Sequence, residues 1–400
     1  MGILIITWNF PPRHGGIERV VARLYAGLKS AHSVELITTS GSSTESESGV
    51  FRAPLAGLLP FFLYALWRGS RLLFRNREIK AIFGGSVLVT PIVLLLARLF
   101  RRGAVIQAHG LDVIYPSAVY RLFCVRWAKY CDRLIANSRY TAGLLGKQGV
   151  PQDRILVIPP GVDPEPFASE HSETAVVLAG ERRKRILFVG RLARRKGVKE
   201  FVQKCLPEIL RHISTVEFVI AGDNPRDSLT QTDDVAGELF REIAELNLAD
   251  HVRLVGAVDD EQLVRLYREC DVVVLPVLAS KADVEGFGIV LLEAAAAGKA
   301  VVATRAGGIP DAMEDGSTGF LVEPGDYPAL TAALVELLRD PLLASEMGKR
   351  GQCRIMDQFR WSRIIPKYEA AFEAADAKNR MRRGITEAPE FRDHPSRPPS

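Results

Sequence analysis

The residues most suited to chemistry are two glutamates with seven residues between them, Glu285 and Glu293, inside the stretch SKADVEGFGIVLLEAAAAG, residues 280–298. Ahead of them VVVLP, residues 272–276, is a β-branched run of the length of a buried parallel strand. The polar loop that follows carries Gly286 and Gly288. The alanines at 294–297 then favour a helix from about residue 289, and Gly298 suits a left-handed stop before a strand at 300–304. A strand, a glycine-bearing loop and a helix N-terminus in that order suit a phosphate. Free N–H groups and the positive end of the helix dipole attract it, and glycines let it approach closely. The glutamates flank that spot, at most ~12 Å apart along the axis if the segment were fully helical. One can hold a sugar hydroxyl while the other holds a ribose; taken alone, the pair also fits a dipole cap and a solvated helix glutamate.

Other chemistry-bearing residues stand where strands are expected to end. The loop GRLARRKG, residues 190–197, follows an apolar strand at 185–189. Its Arg191 and Lys196 can neutralise a diphosphate, one as a planar fork and the other as a point charge; Arg194 and Arg195 read as solvated. His109 closes the run AVIQAHG, residues 104–110, and Asp112 follows in the next loop. Asp112 either orients His109, meets an acceptor, or caps the following turn. Gly15 and Gly16 lie in the loop NFPPRHGGIERV after the first strand, residues 2–8. In open α/β sheets ligands bind at the carboxyl ends of strands, which is where all these loops fall. Neither domain's first strand is followed by G-x-G-x-x-G, so a dinucleotide-dependent dehydrogenase is not expected.

The segment EGFGIVLLE resembles the signature of the retaining glycosyltransferases of family 4, which have the GT-B fold and include phosphatidylinositol mannosyltransferase-like and related group 1 enzymes. The resemblance implies that Glu285 binds donor-sugar hydroxyls, that Phe287, Gly288 and Ile289 offer backbone N–H groups, and that Glu293 holds the ribose. It also implies Arg191 and Lys196 on the diphosphate, Gly15 and Gly16 near the diphosphate and acceptor, His109 at the sugar's anomeric centre, and the backbone near Val258 under the base. The run IPPGVD, residues 158–163, is similar to the family's end of the first domain. The implied fold is α/β, two Rossmann-like domains facing across a cleft. The implied reaction moves a hexose, mannose from GDP-mannose in preference to a UDP-linked sugar, onto a membrane-associated lipid-linked acceptor. The family also holds enzymes for soluble acceptors, and front-face attack is its usual explanation of retention. A sugar-nucleotide epimerase on the same fold and a non-catalytic membrane-bound scaffold are the competing readings.

Four hundred residues are enough for two such domains. The expected division is 1–170 for the acceptor domain, 171–355 for the donor domain with a linker at 164–184, a helix at 356–377 crossing back to the first domain, and a disordered basic tail at 378–400. The net charge of +5 is unevenly spread: residues 52–102 hold nine basic residues against one acid, Glu78. There an apolar run at 55–67 leads into Arg68, Arg71 and Arg75 at helical spacing. A spanning helix needs ~20 apolar residues, more than this run or the buried helix expected at 87–97 supplies. Two readings stay open: an interfacial helix with arginines on an anionic membrane surface, or a surface helix packed on the sheet. Five cysteines without a C-x-x-C pair point to a reducing compartment. No basic region precedes the first strand, so no leader peptide is expected and a cytoplasmic, peripherally membrane-bound protein is. Asp233–Asp234 and Asp259–Asp260 are adjacent pairs and not an Asp-x-Asp motif at a strand end, so neither metal nor cofactor is expected, nor is nucleic acid as a partner. The polar insertion at 223–236 suggests no role.

Overall fold

The computed structural model describes residues 1–13, 15–41, 48–167, 183–224, 234–280 and 283–382. Its apolar runs form two sheets in which every strand pair is parallel. The first comprises β1 (Gly2–Ile6), β2 (Ser33–Thr38), β3 (Val50–Arg52), β4 (Ile79–Gly84), β5 (Gly103–Ala108), β6 (Arg133–Ala136) and β7 (Ile155–Val157), in the order β3-β2-β1-β4-β5-β6-β7. The second comprises β8 (Lys184–Val189), β9 (Val216–Ala221), β10 (Val252–Gly256), β11 (Val272–Leu275), β12 (Ala300–Thr304) and β13 (Gly319–Val322), in the order β10-β9-β8-β11-β12-β13. Central strands such as β1, β5 and β12 are buried along their whole length, because helices cover both faces. The strand order reverses between β1 and β4 and again between β8 and β11, and such switch points open crevices at the carboxyl ends.

On one face of the first sheet, helices Leu58–Arg75 and Thr90–Phe100 and the broken helical segment 118–128 share one apolar cluster. Helices Gly16–Lys29 and Trp361–Arg382 share the opposite cluster. The last helix thus follows the second sheet in the chain yet packs on the first, setting Tyr368 and Phe372 edge-on to Phe83 with centroids 6.0 and 5.6 Å away. It continues to Arg382, which pairs with Asp132 at 2.9 Å. Residues 378–382 are therefore helical, where a tail was expected. The rest of the tail, most of the expected linker and most of the 223–236 insertion lie outside the described residues.

Three further features are set by packing or capping. Strand β3 was not anticipated, being three half-buried residues at the sheet edge. Residues 327–354 form two helices, Tyr327–Arg339 and Pro341–Arg354: proline has no N–H to extend the first, and the Asp340 carboxylate accepts from Leu343 N–H to cap the second. In helix Leu58–Arg75 only Phe61, Ala65, Gly69 and Leu73 are buried, a stripe one residue wide. Arg71 and Arg75 face outward. Arg68 does not join them, because its guanidinium lies 3.9 Å above the Phe51 ring, where stacking on β3 half-buries it. No described helix is long and apolar enough to cross a membrane.

Candidate active site

The β8–β11 reversal is what brings the expected phosphate and sugar residues together. The loop after β8 makes a tight turn, Arg194–Lys196, closed by Gly197 at φ 68°. A side chain at Gly197 would stand 2.0 Å from the Pro276 carbonyl, so glycine is what lets this turn pack on the end of β11. Lys196 Nζ then lies 2.7 Å from Glu285 Oε2, and Arg195 pairs with the same oxygen while its Nε is 2.8 Å from Asp283. Burial by itself would raise the Glu285 carboxyl, but Lys196 and Arg195 outweigh it and hold it down at about 2. Burial also pulls the Lys196 ammonium down, against the opposing pull of Glu285. Lys196 carries three donors and uses one on Glu285, which leaves two for an incoming phosphate.

Arg195, expected in solvent, is instead a buried wall of the site, its side chain 9% exposed. Its neighbour Arg194 is the solvated one, paired with Glu238. The local sequence carries no signal for this, since alternate residues of a tight turn point opposite ways and the packing partner is the distant loop after β11. Arg191 is exposed, and its charge reaches Lys196. Among the described residues Arg191 has no ion-pair partner such as Lys196 has.

Gly288, at φ 86°, caps helix Ile289–Ala296, and the N–H groups of Ile289 and Val290 have no intrahelical carbonyl to meet. Glu293 lies one turn in and is buried, its side chain 8% exposed. Its Oε2 accepts from the Tyr267 hydroxyl at 2.9 Å, and its Oε1 is 3.0 Å from Arg19 Nη1 of the first domain. Burial raises its carboxyl above the ordinary value, and Arg19 partly offsets this. Neither Arg19 nor Tyr267 was anticipated. Tyr267 was findable, because Leu263 and Tyr267 mark the inward stripe of helix Asp260–Glu269. Glu285 and Glu293 thus serve one helix N-terminus from separate charge environments. Val258 follows β10, half-buried at the carboxyl end of that strand.

The first domain closes the site. Gly15 and Gly16 start helix Gly16–Lys29, and a side chain on Gly16 would reach to 3.4 Å of Ile289, which places this glycine loop against the helix N-terminus. His109 is buried, with Nε2 2.9 Å from the Gly85 carbonyl after β4. Asp112 accepts from the backbone N–H groups of His109, at 2.8 Å, and of Val87, at 3.1 Å. Each of its oxygens accepts one bond within the first domain, so it braces the loop that carries His109. Gly286 also differs from expectation. A side chain there would stand 2.0 Å from the His109 carbonyl, so its bareness admits the facing domain, and Gly288 is left as the glycine that caps the helix N-terminus. Gly286→Ala is expected to hold the domains apart and to slow any reaction in the cleft roughly tenfold, an overpacking cost of ~1–3 kcal/mol. Turnover measured beside thermal unfolding checks it: a variant that closes and reacts normally would refute the contact.

Comparisons with known proteins agree with this geometry. The family profile described as Glycosyltransferase Family 4 matches residues 14–166, and that described as Glycosyl transferases group 1 matches residues 183–340. The chain is 31% identical over 377 residues to the GDP-mannose-dependent alpha-(1-6)-phosphatidylinositol monomannoside mannosyltransferase of Mycolicibacterium smegmatis, a match covering 90% of this chain and 95% of that one. It is 32% identical to the D-inositol 3-phosphate glycosyltransferase of the same organism over 63% of this chain and 55% of that one. In fold it resembles the sucrose-phosphate synthase of Thermosynechococcus elongatus, with a TM-score of 0.75 at 23% identity over 94% of this chain and 99% of that one. With both domain profiles matched in order, the sheets paired across one cleft and a relative similar along nearly its whole length, the chain belongs to the group 1, family 4 glycosyltransferases of GT-B fold.

Proposed function

We propose that the protein is a retaining mannosyltransferase that moves mannose from GDP-mannose to a lipid-linked acceptor at a membrane surface. The observation that carries this reading is the placement of Lys196, Arg195 and Glu285 side by side at the β8–β11 switch point, next to a free helix N-terminus. The C1–O bond to the nucleoside diphosphate breaks and the leaving oxygen keeps the electron pair. Arg191, Lys196 and the N–H groups of Gly288 and Ile289 stabilise that charge as it grows. Glu285 orients the sugar hydroxyls, and His109 lies on the facing side of the cleft, near the anomeric carbon. The acceptor hydroxyl oxygen bonds to C1 from the same face, and its proton passes to the departing phosphate oxygen. Fixed cations do the charge compensation, so the reaction is proposed to run without a metal.

The lipid acceptor is supported by a surface as well as by the mannosyltransferase relative. Helices Leu58–Arg75 and Thr90–Phe100 and the 118–128 segment pack side by side, and all three expose large apolar side chains: Leu59, Leu63, Trp67 and Phe74, then Leu95 and Leu99, then Leu122, Phe123 and Trp127. Phe74 is 79% and Phe123 57% exposed. Arg71, Arg75, Arg101, Arg121 and Arg126 are exposed among them. Apolar and aromatic side chains fringed by arginines suit the headgroup zone of an anionic cytoplasmic leaflet, where each basic residue adds up to about 1 kcal/mol. A soluble inositol-phosphate acceptor is the second reading, favoured by the inositol-phosphate glycosyltransferase relative. One experiment separates them. The protein is incubated with labelled GDP-mannose and EDTA, with either phosphatidylinositol-containing vesicles or inositol phosphate as acceptor. A labelled lipid with retained anomeric configuration is expected, together with flotation on anionic vesicles that salt and an Arg71→Glu, Arg75→Glu variant weaken. Label in inositol phosphate alone would move the assignment to the soluble acceptor, loss of transfer in EDTA would overturn the metal-free mechanism, and indifference to anionic vesicles at low salt would remove the membrane.

A further inference from the structure

Arg19 follows directly on the Gly15–Gly16 loop, in the first turn of its helix, yet both its terminal nitrogens are spent on the other domain. Nη1 is 3.0 Å from Glu293 Oε1, and Nη2 is 2.8 Å from Asp260 Oδ1. Asp260 is 89% exposed, so the pair it makes is screened and weak; its use is to keep the second arm of the fork in place. Glu293 is different. It is buried, its second oxygen is held only by the neutral Tyr267 hydroxyl, and among the described residues Arg19 is the one cation at ion-pair distance from it. The carboxylate that has to grip the donor is therefore charge-compensated from across the cleft.

We propose that Arg19 is a positioning residue for the ribose: as the domains close, its guanidinium pairs with and orients the Glu293 carboxylate, so that domain closure and the grip on the ribose hydroxyls become one event. This rests on the reading of Glu293 as the ribose-holding residue. A carboxylate has about four acceptor sites. Arg19 and Tyr267 take one each, and two remain for the two neighbouring hydroxyls of a ribose. The arginine fork engages the two carboxylates through separate nitrogens in a fixed plane, at 2.8 and 3.0 Å, a rigidity that a flexible lysine point charge lacks. The arrangement also accounts for why Arg19 sits beside the glycine loop: the backbone that approaches the diphosphate and the side chain that sets the ribose glutamate move together on one helix. Asp260 and Glu293 gain a cation only when the first domain is in place, so a donor that engages Glu293 favours the closed form.

The test is calorimetry of the full-length protein with GDP and with its dideoxyribose analogue, which keeps the base and both phosphates. Wild type is expected to prefer GDP. Arg19→Ala is expected to weaken GDP binding roughly tenfold, as for loss of a charged hydrogen bond to a buried group, and to leave the analogue unchanged. Arg19→Lys is expected to recover little. In a Glu293→Gln background, Arg19→Ala is expected to add no further loss, since it acts through that carboxylate. Thermal unfolding of each variant shows whether it is folded, and Arg19→Gln provides a second substitution should the alanine variant fail. Equal weakening of both nucleotides, or unchanged discrimination in Arg19→Ala, overturns the role of Arg19 and leaves the proposed function standing. A wild type that binds both nucleotides alike overturns the ribose role of Glu293 and this inference with it, and a wild type that binds neither overturns the proposed function too.

Discussion

Replacing Arg191 or Lys196 by alanine is expected to lower glycosyl transfer about a hundredfold, since removing one preorganised charge at a developing anion costs ~3 kcal/mol. The two variants should differ in stability. Arg191 is exposed, so Arg191→Ala should unfold at the wild-type temperature. Lys196 is buried on Glu285, and deleting it leaves that carboxylate with Arg195 alone. Breaking a buried pair from one side typically costs ~3–5 kcal/mol, so Lys196→Ala should unfold at a clearly lower temperature. Turnover at saturating donor, with a thermal scan of each variant, checks both statements. Near-normal turnover in both would remove the diphosphate assignment. A loss that appeared only in Lys196→Ala, in step with its stability, would reduce the lysine to a structural residue.

The second large effect concerns the glutamates. Glu285→Gln keeps the shape of the side chain but leaves the buried Lys196 without an anion and Arg195 with Asp283 alone, and it removes the charge that orders sugar hydroxyls. Transfer should fall by about a hundredfold or more, while binding of bare GDP changes little. Glu293→Ala should weaken GDP itself, by roughly tenfold, because it empties the ribose contact. Calorimetry with GDP decides: a loss confined to Glu285→Gln would exchange the two roles. A pH signature accompanies the first variant. The Glu285 carboxyl is held at about 2 against an ordinary 4.5, so its ionised form favours the folded state. That contribution is complete above the ordinary value and is lost as pH falls through the folded one. Linkage puts it on the order of 3 kcal/mol. Wild type should therefore be more stable than Glu285→Gln at neutral pH, and the gap should close on acidification. A gap that does not depend on pH would show that the carboxylate is not held ionised by the two cations.

The sequence by itself determined the elements and the chemistry-bearing residue types at their ends, because both are local properties. The runs at 272–276 and 300–304, the helix opening at Ile289 and the stop at Gly298, with φ 68°, follow from β-branched composition, alanine propensity and glycine's access to left-handed backbone. The glutamate spacing and the loop after the second domain's first strand were legible for the same reason, as were the helical spacing and basic bias of residues 58–75. Tertiary structure decided which of these groups meet. Strand order places β8 beside β11, although 82 residues separate Val189 from Val272, and only that adjacency turns Arg195 from a solvated charge into a buried partner of Glu285. The close approach of the two domains assigns Gly286 to the His109 carbonyl and Arg19 to Glu293, contacts between residues 177 and 274 positions apart. It likewise laid Arg68 on Phe51 and left Arg71 and Arg75 outward, since the helical period gives the angle between side chains and the neighbouring edge strand settles which of them packs back onto the sheet. Chemistry-bearing types and their spacing are written along the chain; the pairing of charges is set by packing, because burial and distance, which fix how strongly two charges interact, exist only once the sheets and domains have come together.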